Sequence, residues 1–216
     1  GLIGDNAGTA ITTGDRNTAV GFGALQSEDG HGYNVAVGYA ALDQLNAGDD
    51  AFNVAVGYAA GNNLQTGTDN TLIGGTAGDA LTTGTLNTAV GRDALGADTE
   101  GSRSIAIGRF ALGNQNFTSA TVSYNTAVGY AAGGNITTGV QNTLIGYNAG
   151  DAIQGGVQNT AVGMDALSTL SAGNFNVAVG REALRQLSGS TNYTIGIGRG
   201  AGMMATTTDN CVWIGA

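Results

Sequence analysis

The chain contains no proline, no lysine, one cysteine and one histidine in 216 residues. A single cysteine excludes a disulfide framework within the chain. Seven arginines against 16 acidic residues give a formal net charge of -9, which argues against a nucleic-acid groove lined by basic side chains. No apolar run approaches the length of about 20 residues that a membrane-spanning helix needs, so no membrane span is predicted. The hydrophobic fraction of 42% excludes a chain disordered by its composition.

A short cassette that ends in Val or Ile followed by Gly recurs thirteen times. Most of the intervals between these glycines are 17 residues, and the three exceptions are 19, 21 and 18 residues. A fixed short period indicates a tandem array in which each unit buries its apolar side on its neighbours. The cassette glycines are Gly4, Gly21, Gly38, Gly57, Gly74, Gly91, Gly108, Gly129, Gly146, Gly163, Gly180, Gly198 and Gly215.

Each cassette is predicted to be a short β-strand. The residues one and three positions before the glycine are β-branched, as Val20 and Thr18 illustrate, and such residues favour strands and share one strand face at this spacing. An alanine recurs three residues after the glycine, and an apolar residue and a Thr-Gly pair often follow. This second half predicts a further strand or an extended run that a glycine turn closes.

A 17-residue coil is too short for a βαβ unit of roughly 30 residues, and the sequence lacks a sustained helical period. We therefore predict an all-β fold, a parallel β-solenoid (β-roll) of about 12 coils. The absence of proline suits such a ladder, because every interior rung needs its N–H groups. Leu2, Leu72, Leu144 and Trp213 recur every fourth coil and group the coils into three four-coil blocks. Because the chain opens and stops inside a repeat, residues 1–216 are expected to be one segment of a longer repetitive fibre.

An asparagine column lies just before the strands. Identical amides at rung spacing can hydrogen-bond along the solenoid axis, so we predict a structural ladder rather than a row of ligand-binding amides. Its members are Asn17, Asn34, Asn53, Asn70, Asn87, Asn125, Asn142, Asn159 and Asn176.

The column two positions before each glycine is small or apolar throughout. Its side chains alternate with the β-branched columns, so both faces of each strand are apolar. One face can fill the coil, and the other would leave an exposed apolar strip without a partner. We predict that this column is an assembly interface, formed by Leu2, Ala19, Ala36, Ala55, Leu72, Ala89, Ala106, Ala127, Leu144, Ala161, Ala178 and Trp213.

Large residues often directly follow the cassette glycines and form a candidate surface binding site. Stacked tyrosines and arginines could hold a glycan or a receptor, or could pack between protomers. The residues are Tyr39, Tyr58, Arg92, Arg109, Tyr130 and Tyr147.

No catalytic, cofactor or metal site is predicted. The single histidine, His31, lies between glycines and has no cysteine or second histidine with which to form a metal set. Asp93, Asp165 and Glu182 share a column but belong to different coils, so they do not predict a glycosidase pair.

The cassettes Asn53–Gly57 and Ser104–Gly108 resemble the head repeats of YadA-type trimeric autotransporter adhesins. The longer Asn-Thr-Ala-Val-Gly-Tyr form is similar to repeats of phage tail-fibre proteins that end in a self-cleaving chaperone domain. This resemblance implies a left-handed β-roll, a homotrimer and an extracellular adhesive fibre on a cell or a virion. The alternative function is a subunit of an extracellular filament that polymerises end to end.

Overall fold

The computed structural model describes residues 1–215, which form short strands and turns but no helix, and so none that could cross a membrane. The chain divides into two compact units: Gly1–Ser104 with Asn116–Val122, and Ile105–Gln115 with the chain from Ser123 onward. In each unit successive strands pair in parallel. The prediction of an all-β parallel solenoid is confirmed.

The first unit contains six strands that pair in chain order and one additional pair. The six are β1 (Leu2–Ile3), β2 (Thr18–Val20), β3 (Val35–Val37), β4 (Val54–Val56), β5 (Thr71–Ile73) and β6 (Thr88–Val90), and the additional pair joins β7 (Gly101–Ser102) to β9 (Thr121–Val122).

The second unit contains seven strands, which also pair in chain order. They are β8 (Ile105–Ile107), β10 (Thr126–Val128), β11 (Thr143–Ile145), β12 (Thr160–Val162), β13 (Val177–Val179), β14 (Ile195–Ile197) and β15 (Val212–Ile214). We call the chain from one cassette glycine to the next a rung.

Equivalent positions of neighbouring rungs lie side by side. Ala36 is opposite Ala55 between β3 and β4, and Ala127 is opposite Leu144 between β10 and β11. This register keeps each sequence column continuous along its unit, because a slip of one residue would exchange the two faces of a strand.

The second half of each rung is a run of turns; of the two alternatives predicted there, a further strand or an extended run, a strand forms at β7 and β9. The backbone there repeatedly enters the left-handed region, as at Ala40 (φ 52°) and Leu42 (φ 51°), which a regular strand does not allow. The turns still bond to their neighbours, since Ala40 N–H donates to Phe22 C=O at 2.8 Å and Leu42 N–H to Ala60 C=O at 3.0 Å.

The cassette glycine is required by both conformation and space. Gly21 has a φ of +131°, and a Cβ atom at this position would lie 2.3 Å from the carbonyl oxygen of Gly38 in the next rung. Glycine is the one residue that fits such a close approach of backbones at positive φ.

The interior explains the four-rung grouping. Leu72 fills space that a glycine of its own rung and a glycine of the next rung leave empty, because a Cβ atom on Gly61 or Gly78 would lie 2.7 or 2.8 Å from its methyl groups. Leu144 has the same relation to Gly133 and Gly150 in the second unit. A large residue in the strand thus packs against glycine in the turn. Most rungs with alanine in the strand have leucine at the turn position that this glycine occupies.

Candidate functional site

The asparagine column lies inside the rungs and is hydrogen-bonded from one rung to the next. Asn142 Oδ1 accepts the backbone N–H of Asn159 at 3.0 Å and its Nδ2 group at 3.1 Å. Asn142 Nδ2 also donates to the carbonyl of Gly156 at 2.8 Å. These bonds provide hydrogen-bond partners for buried backbone groups as well as for the amide side chains themselves, so the amides have a structural role. Similar bonds link Asn53, Asn70 and Asn87 in the first unit.

The column assigned to an assembly interface lies in the interior instead, and this prediction is corrected. Its members from Ala19 to Ala178 are fully buried within the single chain, and only the terminal Leu2 and Trp213 retain exposure. The sequence showed two apolar strand faces but not which of them faces inward. Alanine points inward because leucines from the turns, such as Leu42 and Leu95, already occupy the interior.

The β-branched residues form the exposed side of the strands, which we call the outer face. In β11 the central Leu144 is buried, whereas Ile145 is 40% exposed and Thr143 is half-buried. The same pattern holds in the other three-residue strands, apart from the terminal β15. The outer face contains Thr, Val and Ile and no charged residue. Each unit therefore presents a continuous apolar strip.

Aromatic rings stack along the rungs beside the strands. Phe22, Tyr39 and Tyr58 form one column, with ring centroids 5.4 and 5.2 Å apart, and Tyr130 stacks on Tyr147 at 5.4 Å. All five rings are exposed. The tyrosines of the candidate binding surface are thus brought together in pairs.

The two arginines of that candidate surface contact their own neighbours in sequence. Arg92 Nε lies 3.2 Å from the carboxylate of Asp93, and the Arg109 guanidinium lies 4.6 Å from the ring centroid of Phe110. The Phe110 ring in turn makes an edge-to-face contact with Tyr130 at 6.3 Å, so Arg109 is linked to the stacked tyrosines through Phe110.

A second aromatic column, which was not predicted from the sequence, lies at the position just before the asparagine column. Tyr33 stacks on Phe52 at 4.7 Å, and Phe175 stacks on Tyr193 at 4.9 Å. Arg16 lies 5.0 Å from the Tyr33 ring centroid and donates to its hydroxyl at 2.8 Å. These residues have left-handed backbones, with φ of 63° at Tyr33. Their shared position in the repeat was the signal available in the sequence.

Acidic side chains meet in pairs on neighbouring rungs. Burial raises the pKa of the Asp151 carboxyl above its ordinary value, and the negative charge of Asp165 raises this pKa further. Burial is also the main cause of the raised pKa of Asp79, to which Asp93 contributes. Full ionisation of either pair therefore lowers the stability of the folded protein.

Replacing Asp151 by asparagine is expected to raise the melting temperature at pH 7. A carboxyl with a raised folded-state pKa contributes stability below its unfolded pKa of about 3.9, and this contribution is lost as the pH rises through the folded value. The gain from Asp151→Asn should therefore vanish near pH 3. Thermal melts across this range test the expectation, with the exposed Asp15→Asn as a control for net charge. A gain that persisted at pH 3 would contradict it.

No family model matches the chain, and comparisons with curated proteins and with solved structures also give no significant match.

Proposed function

We propose that this chain is a structural segment of an extracellular adhesive fibre and that its copies associate through the outer face. The main support is the continuous β-branched strip in each unit, which is partly exposed and free of charge. Large exposed apolar strips on soluble proteins are typical of interaction surfaces. The β-solenoid fold of the described residues is consistent with a structural repeat protein.

The most suitable occupant of the outer face is another copy of the same chain. The face repeats at every rung in a fixed register, as the pairing of Thr143 with Thr160 and of Ile145 with Val162 illustrates. Two copies can therefore meet rung by rung, and each rung adds apolar area at about 25 cal/mol per Å². The resemblance to trimeric adhesin heads makes three the expected number of copies.

The stacked rings are the proposed adhesive element. Tyr39 and Tyr58 present parallel, exposed rings with hydroxyl groups at their tips. Such amphipathic surfaces suit a glycan or a receptor at the surface of a cell or a virion. The proposal assigns no catalytic role to the chain, and Asp93 and Glu182 are instead paired with arginines, Arg92 and Arg181.

Adjacent residues of β11 offer a direct test of assembly. Ile145→Glu places a charge on the outer face, so we expect a folded monomer in place of a trimer. Leu144→Glu places the charge in the interior, where an unpaired charge is costly, so we expect unfolding. Native mass spectrometry and circular dichroism report the two effects separately.

The exposed turn variant Ser27→Glu is the control and should remain a trimer. A wild-type chain that stays monomeric at high concentration would refute assembly through the outer face. Long polymers that survive Ile145→Glu would instead support an end-to-end filament.

A further inference from the structure

The turn that contains the single histidine also contains two carboxylates. Glu28, Asp29 and His31 each offer one ligand atom, and these three atoms lie within 4.8 Å of one another. Glu28 is fully buried, the His31 side chain is 30% exposed, and Asp29 is exposed. His31 is isolated in the sequence only with respect to histidine and cysteine, and the two carboxylates are its additional neighbours in this turn.

Glu28 occupies a position that is apolar in most other rungs. The equivalent residues Leu45, Leu64 and Leu81 are fully buried in the interior. One carboxylate oxygen of Glu28 accepts the backbone N–H of His31 at 3.1 Å. The other oxygen is buried and has no hydrogen-bond partner, and neither has the buried Nδ1 atom of His31, which lies 3.5 Å from Oε1 of Glu28.

A role in capping the turn does not account for the whole group. Asp98 holds the equivalent position in another rung of the first unit and accepts the N–H of Gly101 at 3.1 Å, as Glu28 does for His31. Gly101 has no side chain, so the capping function works without an imidazole. The unpartnered oxygen and nitrogen at Glu28 and His31 are a separate feature, and leaving buried polar atoms unpaired is unfavourable.

We propose that Glu28, Asp29 and His31 bind a divalent transition-metal ion, with Zn²⁺ as the expected metal. An imidazole nitrogen with two carboxylate oxygens suits zinc, whereas calcium prefers six to eight oxygen ligands. Nitrogen and oxygen ligands of a tetrahedral zinc ion lie about 3.4 Å from one another, so small side-chain rotations bring the three atoms into range. Water molecules complete the coordination.

The turn is already held in place by the preceding rung. The carbonyl of Asp29 accepts the N–H of Thr12 at 2.7 Å and its hydroxyl at 3.0 Å. The carbonyl of His31 accepts Nδ2 of Asn17 at 2.8 Å. Because the backbone is fixed, the metal orders side chains alone, and a buried carboxylate gains a cationic partner.

Calorimetric titration of the purified chain with Zn²⁺ tests the site. We expect saturable binding of one ion per chain and a higher melting temperature with the metal. Co²⁺ serves as a spectroscopic probe, since ligation by His31 should produce visible absorption bands. His31→Ala should weaken Zn²⁺ binding at least tenfold and abolish the cobalt bands.

Glu28→Gln retains the side-chain oxygen that caps the turn, and it should also weaken Zn²⁺ binding at least tenfold. Asp49→Asn removes an exposed carboxylate outside the group and should leave binding unchanged. Circular dichroism establishes that each variant is folded, and if Glu28→Gln unfolds, His31→Ala decides. The proposal is overturned if the wild-type chain shows no saturable Zn²⁺ binding, or if His31→Ala binds as tightly as the wild type.

Discussion

Replacing Leu72 by alanine is expected to lower the free energy of unfolding by about 2–5 kcal/mol, because the surrounding interior cannot fill the cavity that the lost methyl groups leave. Leu72 is fully buried and packs against the backbones of Gly61 and Gly78. Chemical unfolding followed by circular dichroism measures the loss.

A second substitution should restore most of this stability. Gly78→Leu alone inserts a side chain where Leu72 already lies, and such overpacking costs about 1–3 kcal/mol. Combined with Leu72→Ala, it recreates the arrangement of rungs that place a strand alanine beside leucine. The backbone permits the change, since Leu42 and Leu95 occupy the same repeat position at φ of 51° and 53°. Losses that simply add in the double variant would contradict this packing scheme.

Replacing Asn142 by leucine is expected to destabilise the second unit by several kcal/mol. The backbone N–H of Asn159 loses its acceptor and the carbonyl of Gly156 loses its side-chain donor. Each buried backbone group left unpaired costs about 1–3 kcal/mol. Hydrogen exchange should show faster opening at these two neighbouring rungs.

Asn135→Ala provides the matched control for this variant. Asn135 is exposed, and its side chain bonds to the side chains of Asn114 and Asp151 at the surface. Its removal should change stability by less than about 0.5 kcal/mol. If Asn142→Leu were equally mild, the asparagine column would not be a stabilising ladder.

The strands and their register could be predicted from the sequence because the β-branched columns repeat at a period of two within each cassette. Thr18 and Val20 mark β2 as clearly as Thr143 and Ile145 mark β11. The 17-residue spacing then left a parallel solenoid as the fold.

The inward face of the strands could not be predicted in the same way. Both Ala127 and Val128 are apolar, and hydrophobicity alone favours burying the larger valine. The structure buries alanine because the turns supply leucine to the same interior, as Leu112 does in the second unit. Which face is buried depends on the combined volume of the side chains that the strand and the turns place in the same interior. No single sequence column gives that volume.

The second aromatic column and the contact between Glu28 and His31 also could not be predicted from the sequence. Tyr33 and Phe52 stack on each other from left-handed backbone conformations that bulky residues seldom take. Glu28 stands in a position that is mostly apolar, so the repeat average obscured its contact with His31. Departures from a repeat were more informative here than the repeat itself.

The packing of Leu72 between two glycines limits how such an array can change by unequal recombination of its gene. Loss of the single repeat 74–90 would preserve every other strand but would replace Gly78 by Leu95 beside Leu72, so that only Gly61 of its two glycine neighbours remains. Loss or gain of four repeats returns the same neighbours, as Leu144 between Gly133 and Gly150 illustrates. Natural length variants should therefore differ by whole four-repeat segments, even though the backbone ladder repeats at every rung.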